Sequence, residues 1–271
     1  MSRHDNVEIF EHSLNMLRTV PDLIAAIKHS NAAQEVILEY DNLESAAPRF
    51  GDPAQIIVSK KRSFEAAQAY LPYQTCVLNF ASATNPGGGV VWGSTAQEEC
   101  LCRCSTLYAN LTDRKVWKPF YGAHQEQHNQ LYNDDCIYTP DVVVFKTDAR
   151  EPELMDKDNW WKVNVITCAA PNLRPNQDGS RSVRISEKEL YALHVKRMRR
   201  ILNIVAGRGN DVVILGAYGC GAFKNPPEVV AAALRQVTWE YRYHFQIIEF
   251  AVYCSPRDER NYDIFKRMIG G

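Results

Sequence analysis

The sequence of 271 residues lacks long apolar runs. Its apolar runs, such as 142–145 and 212–215, are strand-sized and fall far short of the roughly 18 residues that a helical membrane span takes. No membrane partner is expected on that count. The first residues are polar and charged, with no apolar core of the kind a secretory leader carries, so the expected compartment is cytoplasmic. Cysteine is sparse at eight residues, well below disulfide-scaffold density. Cys76, Cys168, Cys220 and Cys254 sit in or beside apolar runs where a free thiol packs as a small hydrophobe. Neither sign of charge is in excess: 31 Lys and Arg face 32 Asp and Glu, for a formal net charge of -1. There is thus no net basic field to gather nucleic acid. Internal repeats, low-complexity tracts and linker-like stretches are also missing.

What remains is an ordinary globular composition, 45% hydrophobic and 23% charged. Val7, Phe10, Leu14 and Leu17 fall at helical spacings, and Pro21 opens a second helix carrying Leu23, Ile24 and Ile27. Strands are expected at 35–40, 54–58, 75–80, 141–146, 163–169, 211–216 and 246–253, short apolar runs that suit a sheet buried on both faces. Helices are expected at 64–70, 97–110, 186–205, 227–241 and 256–268, with Ser63 and Ser186 as N-caps and Pro226-Pro227 opening another. Residues 111–133 and 172–182 read as loops. Alternating strands and helices imply a three-layer α/β domain over 35–271, preceded by a helical extension over 1–34.

Two loops could carry chemistry. After the strand at 75–80 come small residues, then Gly87-Gly88-Gly89, and then a helix opening on Gln97-Glu98-Glu99. Successive glycines leave backbone N–H groups bare, which suits a phosphate or sugar, although a surface turn would read the same. Acids in a first helical turn also serve as complements to the helix dipole. The second loop, Gly216-Ala217-Tyr218-Gly219-Cys220-Gly221-Ala222-Phe223, likewise follows a strand, where open α/β sheets bind ligands. Together the two favour a diphosphate held between them. No P-loop pattern is present, and Gly219-Cys220-Gly221 lacks the third glycine of a dinucleotide fingerprint, so neither P-loop phosphoryl transfer nor hydride transfer is expected.

The string Asn79-Phe80-Ala81-Ser82-Ala83-Thr84-Asn85-Pro86-Gly87-Gly88-Gly89, followed by Gln97-Glu98-Glu99, resembles the signature of the microbial-type poly(ADP-ribose) glycohydrolases. Gly219-Cys220-Gly221-Ala222-Phe223 looks like their second diphosphate loop, and the run from Tyr138 to Phe145 resembles a further stretch. The resemblance implies a macrodomain-like fold, a mixed sheet between helices, and hydrolysis of ribose–ribose bonds in poly(ADP-ribose) without metal or cofactor. It makes Glu99 the general acid/base and has Glu98 position the ribose hydroxyls. It gives Gln97 a part in ordering the loop, places Asn85, Gly87, Gly88 and Gly89 against ribose and diphosphate, and sets Gly219, Cys220, Gly221, Ala222 and Phe223 on the other side. Phe223 would pack on bound ADP-ribose; a core position facing the sheet is its alternative.

Adjacent helical acids point about 100° apart, so separate roles for Glu98 and Glu99 follow. A raised pKa on one of them, from burial beside another carboxylate, would let it donate a proton near neutral pH. Three readings stay open: polymer hydrolysis, removal of mono-ADP-ribose, and an ADP-ribose-binding module without catalysis. The expected partner is ADP-ribose or poly(ADP-ribose) on modified proteins, with nucleic acid only as an ADP-ribosylated substrate, and the expected state is a monomer. His124 and His128 read as a surface stretch rather than a zinc site, Cys100, Cys102 and Cys104 lack paired ligands, and the run 196–200 reads as a solvated basic face.

Overall fold

Side chains of the run 75–80 alternate between two destinations: Cys76 and Leu78 enter one apolar cluster, Val77 another. A strand buried on both faces needs a layer on each side. The computed structural model, which describes residues 2–175, 183–255 and 257–270, supplies both. The strands are β1 (Glu35–Ile37), β2 (Gln55–Ser59), β3 (Thr75–Phe80), β4 (Cys136–Val144), β5 (Trp161–Cys168), β6 (Val212–Leu215) and β7 (Ile247–Ala251). They form a sheet in the order β1-β4-β5-β3-β6-β7-β2. β4 runs antiparallel to β1 and β5, while the remaining neighbours are parallel, so the sheet is mixed, as expected.

The helices are α1 (Arg3–Thr19), α2 (Pro21–Ala33), α3 (Ser63–Gln68), α4 (Gln97–Cys104), α5 (Leu107–Leu111), α6 (Arg114–Val116), α7 (Ala123–Gln127), α8 (Glu187–Gly207), α9 (Pro227–Glu240) and α10 (Arg260–Ile269). Residues of α8, α9 and α10 fill the core on one face of the sheet, and those of α1, α3, α4 and α5 fill it on the other. Met16, Leu17 and Leu23 pack on Val143 and Phe145 in a smaller third cluster. The three-layer arrangement therefore stands.

Several expectations change. Strand ends move because backbone pairing, not apolarity, sets them. β1 stops at Ile37, where the chain turns and Leu38 N–H donates to Asp41 Oδ2. β4 begins at Cys136, well before the expected 141, since the register shifts between Thr139 and Val142 and a bulge accommodates Pro140. The helix expected at 97–110 is two. Ser105 is extended and bridges Val144, and Cys104 C=O accepts from Phe145 and Lys146, so β4 takes the groups that would have continued the helix. Ser63 is the first helical residue rather than the N-cap, which is Arg62.

The segment 111–133 is not a plain loop: it holds α6, a π-helical turn at Trp117–Gly122 and α7, burying Val116, Phe120, Tyr121 and His124. His124 is therefore interior, its Nδ1 2.8 Å from Phe120 C=O, whereas His128 is exposed. The basic run is a solvated face only in part, with Lys196 and Arg199 exposed. Arg197 is buried, donating to Asp134 and to Ala169 C=O at 2.8 Å each, and Arg199 pairs with Glu240. The first α1 stripe is rotated from the expected one: Asn6, Phe10, Ser13 and Leu17 face inward, with Val7 and Leu14 only half-buried. The ends of two expected elements, residues 176–182 of the loop at 172–182 and Pro256 of the helix at 256–268, lie outside the described residues. All eight cysteines are unpaired, and among the described residues no helix is long and apolar enough to cross a membrane.

Candidate active site

β5, β3, β6 and β7 are parallel neighbours, so their carboxyl ends share one edge of the sheet. A cleft of about 290 Å³ lies across that edge, lined by Phe80 from β3, Ala170 after β5, Ala217 after β6 and Tyr253 after β7. Both glycine loops open onto it. Gly88, Gln97, Glu98 and Glu99 line one side, and Gly219, Gly221, Ala222 and Phe223 the other.

Gln97 ties the head of α4 to the end of β3: its Oε1 accepts from Phe80 N–H at 2.9 Å, and its Nε2 donates to Leu78 C=O at 2.7 Å and to Ser63 Oγ at 3.0 Å. The two acids, both buried, then turn apart. Glu98 accepts from Ser82 N–H at 2.7 Å and from Asn79 Nδ2 at 3.3 Å. Glu99 Oε1 accepts from Gly89 N–H at 2.9 Å, while its Oε2 is buried with no hydrogen-bond partner. Gly88 fits between them in a left-handed conformation, φ +58. A Cβ there would stand 2.6 Å from Glu99 Oε1 and 3.1 Å from Glu98 Oε2, so only glycine suits the position.

Burial pushes the Glu98 carboxyl up to about 8, with the Ser82 N–H and Asn79 amide opposing the rise and the neighbouring Glu99 adding to it. The raised value expected of one of the two acids thus falls on Glu98, the residue to which the resemblance gives ribose positioning rather than proton transfer. Because the folded value lies above the unfolded one, its contribution to stability is full below about 4.5 and declines as pH rises through about 8. The gap between the melting temperatures of the wild type and Glu98→Gln, which does not titrate, should therefore change over that window. Melting curves from pH 4 to 9 test this, and a constant gap would remove the shift.

The second loop is held from behind. Asn225 Nδ2 donates to Gly219 C=O at 3.0 Å and Pro171 C=O at 2.7 Å, so its Oδ1 is left to accept from His194 Nε2 at 2.9 Å. Burial holds His194 down at about 4, hence neutral. Phe223 is half-buried: it packs on the core and also faces the cleft, with Tyr132 6.1 Å away between ring centroids. Phe223→Ala should weaken ADP-ribose binding by about 1–3 kcal/mol if the ring stacks on the ligand, within the range for base–aromatic contacts. Calorimetry of a folded variant with unchanged affinity would take Phe223 out of the site.

Four residues expected in the site stand outside the lining. Gly87 is buried against Tyr108 and Cys102, and Gly89 acts through its N–H on Glu99. Exposed Asn85 donates through its side chain to Thr84 Oγ1, and half-buried Cys220 directs its Sγ at Tyr218 C=O. Sequence reasoning missed Arg62, Asp148 and Tyr253, which close one end of the cleft. The Arg62 guanidinium lies 4.1 Å from the Tyr253 ring centroid, 3.8 Å from Asp148, and donates to Cys100 Sγ at 3.4 Å. No spacing links these positions, which only the sheet order brings together. Asn225 and His194 gave no signal beyond being polar. Among the described residues no three His, Cys, Asp or Glu are grouped as a metal site.

Residues 13–147 match the family model "Microbial-type PARG, catalytic domain". The fold matches the crystal structure of poly(ADP-ribose) glycohydrolase from Thermomonospora curvata with a TM-score of 0.85 and 28% identity, over 98% of this chain and 99% of that one. The same enzyme bound to the inhibitor ADP-HPD matches with a TM-score of 0.80 and 27% identity, over 97% and 99%. The Deinococcus radiodurans enzyme in complex with ADP-ribose matches with a TM-score of 0.75 and 28% identity, over 90% and 96%. Among curated proteins none matches.

Proposed function

The chain belongs to the microbial-type poly(ADP-ribose) glycohydrolases, and on that premise we propose that its cleft takes the terminal ADP-ribose of the polymer between the two glycine loops while Glu99 drives cleavage of the ribose–ribose bond. The protein is a glycosidase that hydrolyses poly(ADP-ribose). The observation that carries the residue assignment is Glu99 Oε2: it is a buried carboxylate oxygen with no protein partner, beside an Oε1 already fixed by Gly89. Glu99 lines the cleft beside the glycine loop, where the substrate would supply the missing partner.

In this reading Glu99 protonates the glycosidic oxygen as the bond to the anomeric carbon breaks, leaving an oxocarbenium-like centre. Water adds to that carbon and returns its proton to Glu99, so the acid is regenerated. Glu98, fixed by Ser82 and Asn79, positions ribose hydroxyls. Gly88 allows the sugar close approach, and the backbone donors of both loops meet the diphosphate without a lysine. Residues 35–271 form the catalytic domain, with 1–34 packed on it as a helical extension. The eight free thiols support a cytoplasmic compartment, and we read the protein as a monomer.

The test is release of free ADP-ribose from poly(ADP-ribosyl)ated protein, beside a mono(ADP-ribosyl)ated one, in buffer containing EDTA. Release from polymer is expected. Binding of ADP-ribose without release from either substrate would leave a recognition module, and release from the mono-modified protein alone would change the substrate. A strict requirement for a divalent cation would overturn the metal-free scheme.

A further inference from the structure

Asn6, Phe10 and Ser13 share one stripe of α1 and are all buried, yet two of them are polar. A helix that only covers apolar surface has no use for a buried amide and hydroxyl, because each must find a partner. One partner of each leads to the glycine loop, while Ser13 Oγ also meets Ile9 C=O at 3.0 Å and Lys146 Nζ at 2.7 Å. Asn6 Nδ2 donates to Gly93 C=O at 3.1 Å. Gly93 itself is left-handed, φ +71, and a side chain there would run into the Arg3 carbonyl, so the first turn of α1 lies directly on the loop. Ser13 Oγ donates to Arg103 C=O at 2.7 Å, and Arg103 Nη1 donates to Ser94 C=O at 2.7 Å. Phe10 meets Tyr108 edge to face at 4.9 Å, and the Tyr108 ring backs Gly87, with Cδ2 2.8 Å from where a Cβ would stand.

These three points bracket 87–94. Within that segment Gly89 C=O accepts from Trp92 N–H at 3.0 Å and from Ser94 N–H at 3.2 Å, while Gly89 N–H donates to Glu99. Whatever fixes Gly93 and Ser94 therefore fixes the donor on the Glu99 carboxylate. We propose that Asn6 is a positioning residue for hydrolysis: through Gly93 it holds the Gly89 N–H on Glu99, so that α1 is part of the catalytic apparatus. This rests on the reading of Glu99 as acid/base. Rate should fall more than affinity, because the first glycine loop carries the donor on Glu99 as well as a share of the ligand contacts, while the second loop and Phe223 carry the rest.

The experiment uses the full chain with Asn6→Asp, read at alkaline pH where the ionised carboxylate keeps the side chain's size but offers Gly93 no donor, and Ser13→Ala, which loosens the same loop through Arg103. Polymer turnover, ADP-ribose affinity by calorimetry and the melting temperature are measured for each. A fall in kcat of about tenfold or more is expected, as small misplacements of reacting groups produce, with a clearly smaller change in the ADP-ribose Kd of the folded protein. Unchanged kcat in either folded variant overturns the proposal, as does an affinity that falls in step with kcat. Should Asn6→Asp fail to fold, Ser13→Ala decides. A wild type that releases no ADP-ribose overturns the functional reading and the proposal with it; an active wild type with an equally active Asn6→Asp overturns the proposal alone.

Discussion

Glu99→Gln is expected to bind ADP-ribose and to lose turnover by at least the roughly 10²–10⁴-fold that general acid–base catalysis supplies. The amide oxygen can still accept from Gly89 N–H, so the loop keeps its anchor. The amide nitrogen then occupies the place of the unpartnered Oε2, where it cannot give a proton to the leaving oxygen and take one from water. Release of ADP-ribose from polymer, read beside calorimetry with ADP-ribose, separates the two effects. Full hydrolysis by the folded variant would move the acid/base role away from this position, and Glu98 would be the next carboxyl to test. Affinity lost together with rate would mean that residue 99 holds the ligand and does not merely react with it.

Gly88→Ala should be nearly as damaging, for a different reason. The added Cβ falls 2.6 Å from Glu99 Oε1, so the carboxylate must shift, and Glu98 must yield as well. A displacement of about 1 Å at reacting groups costs on the order of 10²-fold in rate. The left-handed backbone adds about 1–2 kcal/mol of strain, which appears as a lower melting temperature. Single-turnover release of ADP-ribose from folded variant tests the point. A variant that melts lower but cleaves at the wild-type rate would mean that the two acids have room to spare.

The layers were legible because β3, β5 and β6 are apolar enough to require cover on both faces, and the acids were legible because the glycines and Gln97-Glu98-Glu99 lie within one short stretch. What escaped was whatever depends on pairing across the chain. Ser105 looks like a helical residue until Val144 is beside it. Arg197 looks like solvated charge until Asp134, from a distant loop, meets it in the interior. The inward α1 stripe was misread because Asn6 and Ser13 are polar and face inward for the sake of Gly93 and Arg103. Val116, Phe120 and His124 did carry a four-residue spacing, obscured by Pro119 within a π-helical turn. Near the acids, Asn79 and Ser82 lay inside the quoted motif, but their hold on Glu98 depends on how the loop folds back.

The strand order also bears on how the chain comes off the ribosome. β3 sits at the centre of the sheet, yet neither neighbour precedes it: β5 ends at Cys168 and β6 at Leu215. β2 is made before β3 but pairs only with β7, which ends at Ala251. During synthesis the apolar run 75–80 must therefore wait without a partner while much of the chain is still to emerge, and every parallel pair closes a long loop. Such non-local pairing makes folding slow and leaves unpaired strands open to aggregation in the meantime. The cleft, assembled from the ends of β5, β3, β6 and β7, is complete only once the last strand has docked, so a nascent chain stopped before β7 should lack it.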